Sequence, residues 1–403
     1  MKFIHFADAH LDSPFLGLSF LPSKSFNQIQ KAPMQSLINI VDLAIKENVD
    51  LVLIAGDTFD SFKPNPSAQI FFAREIERLI KSEIQVVMVL GNHDHMAKED
   101  LLVPESPYFK LLGEDEKIET ASYTTKSGFD YDVTGFSYLA NHITDDLAAQ
   151  FPPKNNRYTF GIMHAQERAS LSSQNVYAPF TLSELQNLNY DYFALGHIHL
   201  RQILSETPLI VYPGNIQGRH INETGPKGCY LGTIDEQTKK TKIHFVQTNL
   251  ITWDKRQLEL TKPIAKTELE KMIINCLMAT ATTYFCLQIK GADFLNEKEA
   301  ELIQDSDFWQ MISEKLAHGS QLVDVRFING SKLAVAVNDQ KYFTQAEEEI
   351  FIPDQFAQII KDWSLKTEFT NNLAQDPSFI QEVKQLAEVK LNSKLKGVND
   401  EIN

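Results

Sequence analysis

The sequence predicts an α/β protein with central mixed β-sheets flanked by helices, followed by a small α+β domain and a mainly helical C-terminal region. Three observations carry this expectation. Over about the first 250 residues, apolar runs of strand length alternate with longer stretches whose apolar residues recur every three or four positions. After about Trp253 the pattern changes to shorter helix and strand segments, and from about Lys332 strand signals disappear. At 403 residues the chain exceeds one compact core, and the expected boundaries are 1–250, 251–330 and 331–403.

In chain order, KFIHFA, LVLIA, VVMVL, YTFGIM and YFALG read as buried strands. QSLINIVDLAIKEN and SAQIFFAREIERLIKS are the helices between the early ones. KIETAS, YDVTGFSY, PLIVYP, KGCYLGTID and KIHFVQT complete the first domain as further strands. In the second domain TELEKMIINCLMA reads as a helix, TYFCLQI as a strand, NEKEAELIQDSDFWQMISEKL as one or two helices, and QLVDVRFI as a strand. AEEEIFIPDQFAQIIKDW and PSFIQEVKQLAEVKLNSKLK close the chain as helices, the last with a Lys-rich end that suits a helix C-terminus.

Composition narrows the class. Hydrophobic residues make up 43% and charged residues 23%, ordinary for a soluble globular protein. Cys229, Cys276 and Cys286 have no CxxC spacing, which argues against a disulfide framework and a zinc ribbon and for a reducing cytoplasm. His5 and Asp8 interrupt what a secretion signal would need as its apolar centre. No charge falls between Lys271 and Lys290, but Asn275, Thr280, Thr282, Thr283 and Gln288 break the apolarity that a membrane span requires. The net charge of −15 divides into −8 over residues 1–250 and −7 over 251–403, so neither part is a basic nucleic-acid magnet. Carboxylates that bind metal count as negative until the cations are added. No GxxxxGK[ST] occurs, so the chain lacks a P-loop.

Polar residues collect directly after the apolar runs as DAH, GDTFD, GNHDH, HAQE and GHIH. Ligands of open α/β sheets sit at that carboxyl edge. Each block alone has an ordinary reading as a turn, a cap or a satisfied core histidine. Together they place Asp8, His10, Asp57, Asn92, His93, Asp94, His164, His197 and His199 at one edge. Five of the eleven histidines fall there, whereas His5, His95, His142, His220, His244 and His318 show no such placement. His197 and His199 lie two apart on an extended segment and so point to one side. Two neighbouring divalent metals need a ligand that spans them, and a carboxylate has two oxygens for that. Imidazoles, carboxylates and one amide form a mixed N/O set that suits manganese, iron, cobalt, nickel or zinc better than magnesium or calcium.

These five blocks resemble the calcineurin-like metallophosphoesterase superfamily over roughly residues 1–235, and within it the bacterial DNA-repair exonucleases of the SbcD type. The opening ADAHLDSPF is similar to the YhaO-like members of that branch. The resemblance implies two divalent ions, most readily Mn²⁺. One would be held by Asp8, His10, Asp57 and His199, and the other by Asp57, Asn92, His164 and His197, with Asp57 as the bridge. It implies that His93 faces the substrate phosphate and protonates the departing oxygen, with Asp94 behind it orienting the ring. Asp60 departs from the histidine or asparagine that many nuclease relatives carry, and stands either as an acidic neighbour of the phosphate or as a loop carboxylate. YPGNIQGRHINETGPKG resembles the family's Gly-rich loop, in which Arg219, and less readily Lys227, would contact phosphate.

The activity implied is DNA phosphodiester hydrolysis, exo- or endonucleolytic, in concert with an SMC-like coiled-coil ATPase of the SbcC type on a separate chain. A homodimer is common in the resembled family, and no membrane association is expected. The segment 251–330 would cap the DNA groove. The helix from Phe379 to Lys396, with Phe379, Val383, Leu386, Val389 and Leu391 partly in register, would dock on the partner or fold back on this chain's own core. A phosphodiesterase or phosphatase acting on small nucleotides shares all five blocks and is the alternative, and a scaffold that kept only the fold is the third reading.

Overall fold

The computed structural model describes residues 1–168, 176–328, 342, 345–346, 348–359 and 376–401. Contacts divide the chain into two units, residues 1–19 with 26–252, and residues 20–25 with 253–403.

The first unit opens with β1 (Lys2–Phe6), α1 (Ser23–Glu47), β2 (Leu51–Ala55), α2 (Pro66–Lys81), β3 (Gln85–Val89) and β4 (Phe109–Leu111). It continues with β5 (Glu119–Thr124), β6 (Asp130–Gly135), β7 (Tyr158–His164), α3 (Leu182–Asn187) and β8 (Tyr192–Gly196). β9 (Gln202–Glu206), β10 (Leu209–Tyr212), β11 (Gly228–Ile234) and β12 (Thr241–Gln247) complete it. The helix expected over 35–48 begins earlier, at Ser23, and carries Pro33 in its interior. α2 has clear local causes. Asn65 caps it by accepting a hydrogen bond from the Ser67 N–H, Pro66 fills the first turn, and Arg78 and Lys81 complement the C-terminal end.

Two mixed six-stranded sheets form, with orders β12-β11-β1-β2-β3-β4 and β5-β6-β7-β8-β10-β9. β1 through β4 run parallel, and so do β6, β7, β8 and β10. The inner faces of the two sheets meet in one core, where Phe3, Leu53 and Val87 oppose Tyr131, Phe160 and Tyr192. A second core lies between the first sheet and helices α1 and α2, through Ile4, Ile54, Leu37 and Phe72. A strand buried on both faces has no polar side, which is why β2 and β3 read as unbroken apolar runs.

The second unit holds β13 (Thr252–Glu259), α4 (Lys266–Cys276), β14 (Thr283–Lys290), α5 (Glu297–Leu302), α6 (Ser306–Ser313) and β15 (Gln321–Ile328). Its sheet has the order β13-β14-β15 and packs Phe285, Leu287 and Phe327 against Leu269, Phe308 and Ile312. The apolar segment between Lys271 and Lys290 is a helix end followed by strand β14, and among the described residues no helix is long and apolar enough to cross a membrane.

The last helices run over Pro353–Ile359 and Pro377–Glu401. Phe379, Ile380 and Val383 pack with Phe356, while Leu386 and Val389 join the core of this unit. The face considered for partner docking is thus engaged on its own unit, and Leu391 remains exposed. Residues 329–341 and 360–375, where strand signals end and where the helix expected to reach Trp363 would finish, lie outside the described residues.

Candidate functional site

Asp8 and His10 follow β1, Asp57 follows β2, and Asn92, His93 and Asp94 follow β3. His164 ends β7, and His197 and His199 follow β8. Parallel strands from both sheets therefore deliver these side chains to one carboxyl edge. Main-chain bonds lock the loops together, from Asp8 N–H to Gly56 O (3.0 Å), His10 N–H to Asp57 O (3.1 Å) and Ala165 N–H to Gly196 O (3.2 Å). Asp8, His10, Asp57 and His197 adopt positive φ angles of 52°, 42°, 52° and 96°. Such conformations are unfavourable for non-glycine residues and persist where the surroundings fix them. Two glycines make room. A Cβ on Gly91 would meet Asp57 Oδ1 at 2.2 Å, and one on Gly196 would meet Ala55 O at 1.8 Å.

Donor atoms converge in three overlapping groups, one of them made by His10, Asp60 and His93. Those of Asp8, His10 and His199 lie within 4.8 Å of one another, as do those of Asp8, Asp57 and His164. His10 Nε2 faces His199 Nε2 at 3.1 Å, and Asp57 Oδ2 is 3.8 Å from His10 Nε2 and 3.3 Å from His164 Nε2. Asn92 Oδ1 meets His164 Nε2 at 3.0 Å and His197 Nδ1 at 3.1 Å. Asp8 accepts the His197 N–H at 3.0 Å through Oδ1.

The rings are fixed from behind. His164 Nδ1 lies 3.0 Å from Ala55 O, which can only accept, so that nitrogen carries a proton. His164 Nε2 then points at two acceptors, Asn92 Oδ1 and Asp57 Oδ2, an arrangement that is repulsive unless that nitrogen carries a proton or a metal cation lies among them. His199 Nδ1 is 2.6 Å from Glu223 Oε1, which leaves Nε2 bare toward His10. His10 Nδ1 lies 3.0 Å from Asp60 Oδ1, a close contact whose N–H does not point squarely at the oxygen. Carboxylates or carbonyls behind imidazoles in this way set the tautomer for metal ligation. The donor chemistry therefore fits divalent transition metals.

Electrostatics agree with that chemistry. Burial pushes Asp57 up, but His164, His10 and His93 together outweigh it and hold the carboxylate below its ordinary range. Burial lowers His164, yet Asp57 and Asp8 overcome it and raise the ring to about 9. His197 is lowered to about 3 by burial and by the neighbouring His164. Burial opposes ionisation of Glu223 as well, but the His199 hydrogen bond and charge bring it down to about 2.

Several expectations need correction. Asp94 does not stand behind His93. It is fully buried, and its oxygens accept the N–H groups of Gly91 (2.7 Å), Thr58 (2.7 Å) and Phe59 (3.5 Å), stapling the Asp57 loop to the Asn92 loop. Burial, reinforced by Asp57, raises it to about 7. His93 Nδ1 is held instead by Asp60 O at 3.2 Å, and its backbone N–H donates to Asp57 Oδ1 at 3.0 Å. Arg219, unlike these, stays beside the cluster as expected, its guanidinium bound to Asp60 Oδ1 (2.7 Å) and Ser13 Oγ (3.1 Å). Lys227 is buried and donates to His199 O at 2.8 Å, so it braces a loop. Two histidines read as background adjoin the site, with His95 Nδ1 at 2.9 Å from Asn92 O and His220 Nε2 at 3.3 Å from Glu223 Oε1. Glu223 does not stand out in the sequence, although the Gly-rich loop containing it does. Its one signal is that of a carboxylate in a loop following GHIH.

The calcineurin-like phosphoesterase pattern matches residues 1–201. The chain is 36% identical over 278 residues to the uncharacterised metallophosphoesterase YhaO of Bacillus subtilis, covering 68% of this chain and 66% of that protein. It is 25% identical over 210 residues to the DNA double-strand break repair protein Mre11 of Sulfurisphaera tokodaii, half of each chain. It is also 25% identical over 278 residues to the SbcD component of the SbcCD nuclease of Staphylococcus epidermidis, covering 62% of this chain and 67% of that one. The matches thus span between half and two thirds of these relatives' lengths. With the paired Asp and His groups at the carboxyl edge, they establish that the chain belongs to the calcineurin-like phosphoesterases, a family of phosphoester hydrolases that use a dinuclear metal site.

Proposed function

We propose that this protein hydrolyses phosphodiester bonds of DNA with two divalent metal ions, most readily Mn²⁺, and works with an SMC-like coiled-coil ATPase. The observation that carries the reading is the contrast within the cluster. The donors of Asp8, His10, Asp57, Asn92 and His164 are buried, while the His93 side chain keeps 44% of its surface exposed. One imidazole is thus open to solvent while its neighbours face one another. Two ions held by Asp8, His10, Asp57 and His199 and by Asp57, Asn92, His164 and His197 would supply electrophilic charge for the phosphoryl group and acidify water.

The residues do the remainder. Asp60 O accepts from His93 Nδ1, so the ring keeps that proton and Nε2 is the atom that gives or takes one. Protonated at Nε2, His93 donates to the departing 3′ oxygen and returns to the neutral Nδ1–H tautomer. Asp57 fixes the His93 backbone, and Asp94 holds the two loops in register. Arg219, held by Asp60 and Ser13, lies close enough to His10 to steer phosphate, and Asp60 tempers its charge. The DNA assignment draws on the names of the Mre11 and SbcCD relatives.

The test is hydrolysis by the purified protein with Mn²⁺ of end-labelled single- and double-stranded DNA, beside bis-p-nitrophenyl phosphate and a cyclic nucleotide. His93→Ala should retain both metals and lose about 10²- to 10⁴-fold in rate. Cleavage of the small diesters alone, with or without candidate ATPase partners, would favour the small-nucleotide reading. Loss of metal from the variant would remove His93 from its assigned role.

A further inference from the structure

Phe62 is 52% exposed and lies two residues beyond Asp60, whose carbonyl holds the His93 ring. An exposed phenylalanine is ordinary by itself. This one is backed by a second ring, because His95 lies parallel beneath it with centroids 5.2 Å apart and planes 15° from one another. His95 is in turn fixed by its Nδ1 contact to Asn92 O at 2.9 Å. Both ends of the Phe62 segment are pinned by one carboxylate, since Asp12 accepts the N–H groups of Asp60 (2.7 Å) and Asn65 (3.2 Å). Lys63 Nζ sits 5.4 Å from the Phe62 ring centre, a cation beside the aromatic surface. The ring is therefore exposed and already immobilised, so a ligand that stacks on it has little ordering left to impose.

We infer that Phe62, backed by His95, is a stacking platform for one unpaired nucleobase of a phosphodiester whose phosphate lies at His93. This rests on the reading of the site as a nucleic-acid phosphodiesterase and deepens it. A chain of two residues spans at most about 7 Å, so the Phe62 backbone lies within about that distance of Asp60, whose carbonyl holds the His93 ring. A base inside a duplex already has both faces covered, and only an unpaired or end-frayed base can lie on the ring. Lys63 complements the phosphate that accompanies such a base. The structure thus assigns the site a preference for single strands and open ends.

The test uses the full-length protein and a fluorescein-labelled oligothymidylate with cleavage-resistant phosphorothioate linkages, compared by anisotropy with an abasic backbone of equal length and linkage. The wild type should bind the base-bearing strand about tenfold to a hundredfold more tightly, the range for one stacked base. Phe62→Ala should lose most of that preference and hold the abasic backbone as before, and Phe62→Trp should keep it. The assignment is overturned if Phe62→Ala retains the preference, or if it weakens both ligands equally. It is overturned too if the substitution changes only the oligomeric state by sedimentation, which would make the ring a protein contact. Cleavage of the unmodified strand, followed in parallel, separates the two readings. Base preference without cleavage keeps the platform and removes the hydrolase assignment, whereas cleavage without base preference does the reverse.

Discussion

His5 and His164 are both completely buried in the two-sheet unit, yet its interior and its carboxyl edge drive them in opposite directions. In the interior, His5 donates from Nε2 to Leu195 O (3.2 Å) and accepts the Tyr192 hydroxyl at Nδ1 (2.9 Å), so the neutral ring is fully satisfied. Burial lowers it to about 3. At the edge, the same burial is overcome by Asp57 and Asp8, and His164 is raised to about 9. Dehydration is common to both rings. What differs is whether the second nitrogen meets a hydroxyl that can donate or oxygens that can only accept. A buried histidine is a structural side chain in the first case and a cation-seeking one in the second.

The strongest way to break this contrast is to remove Asp57. In Asp57→Ala, metal content by elemental analysis should fall at both positions and activity should drop by about a thousandfold or more. A protein that keeps two ions would show that Asp57 is no bridge. Glu223→Gln tests the support behind His199 and should weaken metal affinity about tenfold to a hundredfold by calorimetry, with the fold unchanged. Unaltered affinity would reduce Glu223 to a loop brace.

The pH dependence of unfolding in metal-free buffer sharpens the comparison directly. His5 has a folded pKa near 3 against an unfolded 6.5, so the unfolded chain binds the extra proton and stability falls as pH drops from 6.5 toward 3. His164 is shifted upward, so its contribution is present below pH 6.5 and is lost as pH rises toward about 9. Each limb has a limiting slope of roughly 1.4 kcal/mol per pH unit. His5→Leu should flatten the acid limb in urea titrations between pH 6.5 and 3 and leave the alkaline one, whereas Asp57→Ala should flatten the alkaline limb. The smallest effect is expected at Tyr138, which is buried edge-on to His164 and whose hydroxyl has no partner among the described residues. Tyr138→Phe should change stability by no more than about 1 kcal/mol, in the stabilising direction if at all. A larger loss would reveal a partner for the hydroxyl.

Much of the fold and of the site is legible in the sequence. The glycines of GD, GN and GH, each placed after an apolar run, mark the loops that carry Asp57, Asn92 and His197. The strands themselves are readable because their periodicity is local. Elements of weak periodicity are not. β4 is three residues long, β9 is polar and half-buried, and β13 interleaves charges along TWDKRQLE, so none stands out as a strand. That the strands divide between two sheets is equally hidden, because β11 pairs with β1 across more than two hundred residues. Asp94 misleads for a related reason. Its position beside His93 suggests an orienting partner, but in a tight turn adjacent side chains diverge, and Asp94 turns inward to backbone groups thirty-five or more residues earlier.

The sequence by itself determined which elements form and which polar residues stand at their ends, because both follow from spacing along the chain. It thereby specified Asp8, His10, Asp57, Asn92, His164, His197 and His199 as candidate ligands and the family to which the chain belongs. Tertiary structure alone decided what lies behind each ring: Ala55 O for His164, Glu223 for His199, Asp60 O for His93. It decided as well that His5 and His164 titrate in opposite senses. Those outcomes depend on distances of about three ångströms between residues far apart in sequence, and only the folded chain sets such distances.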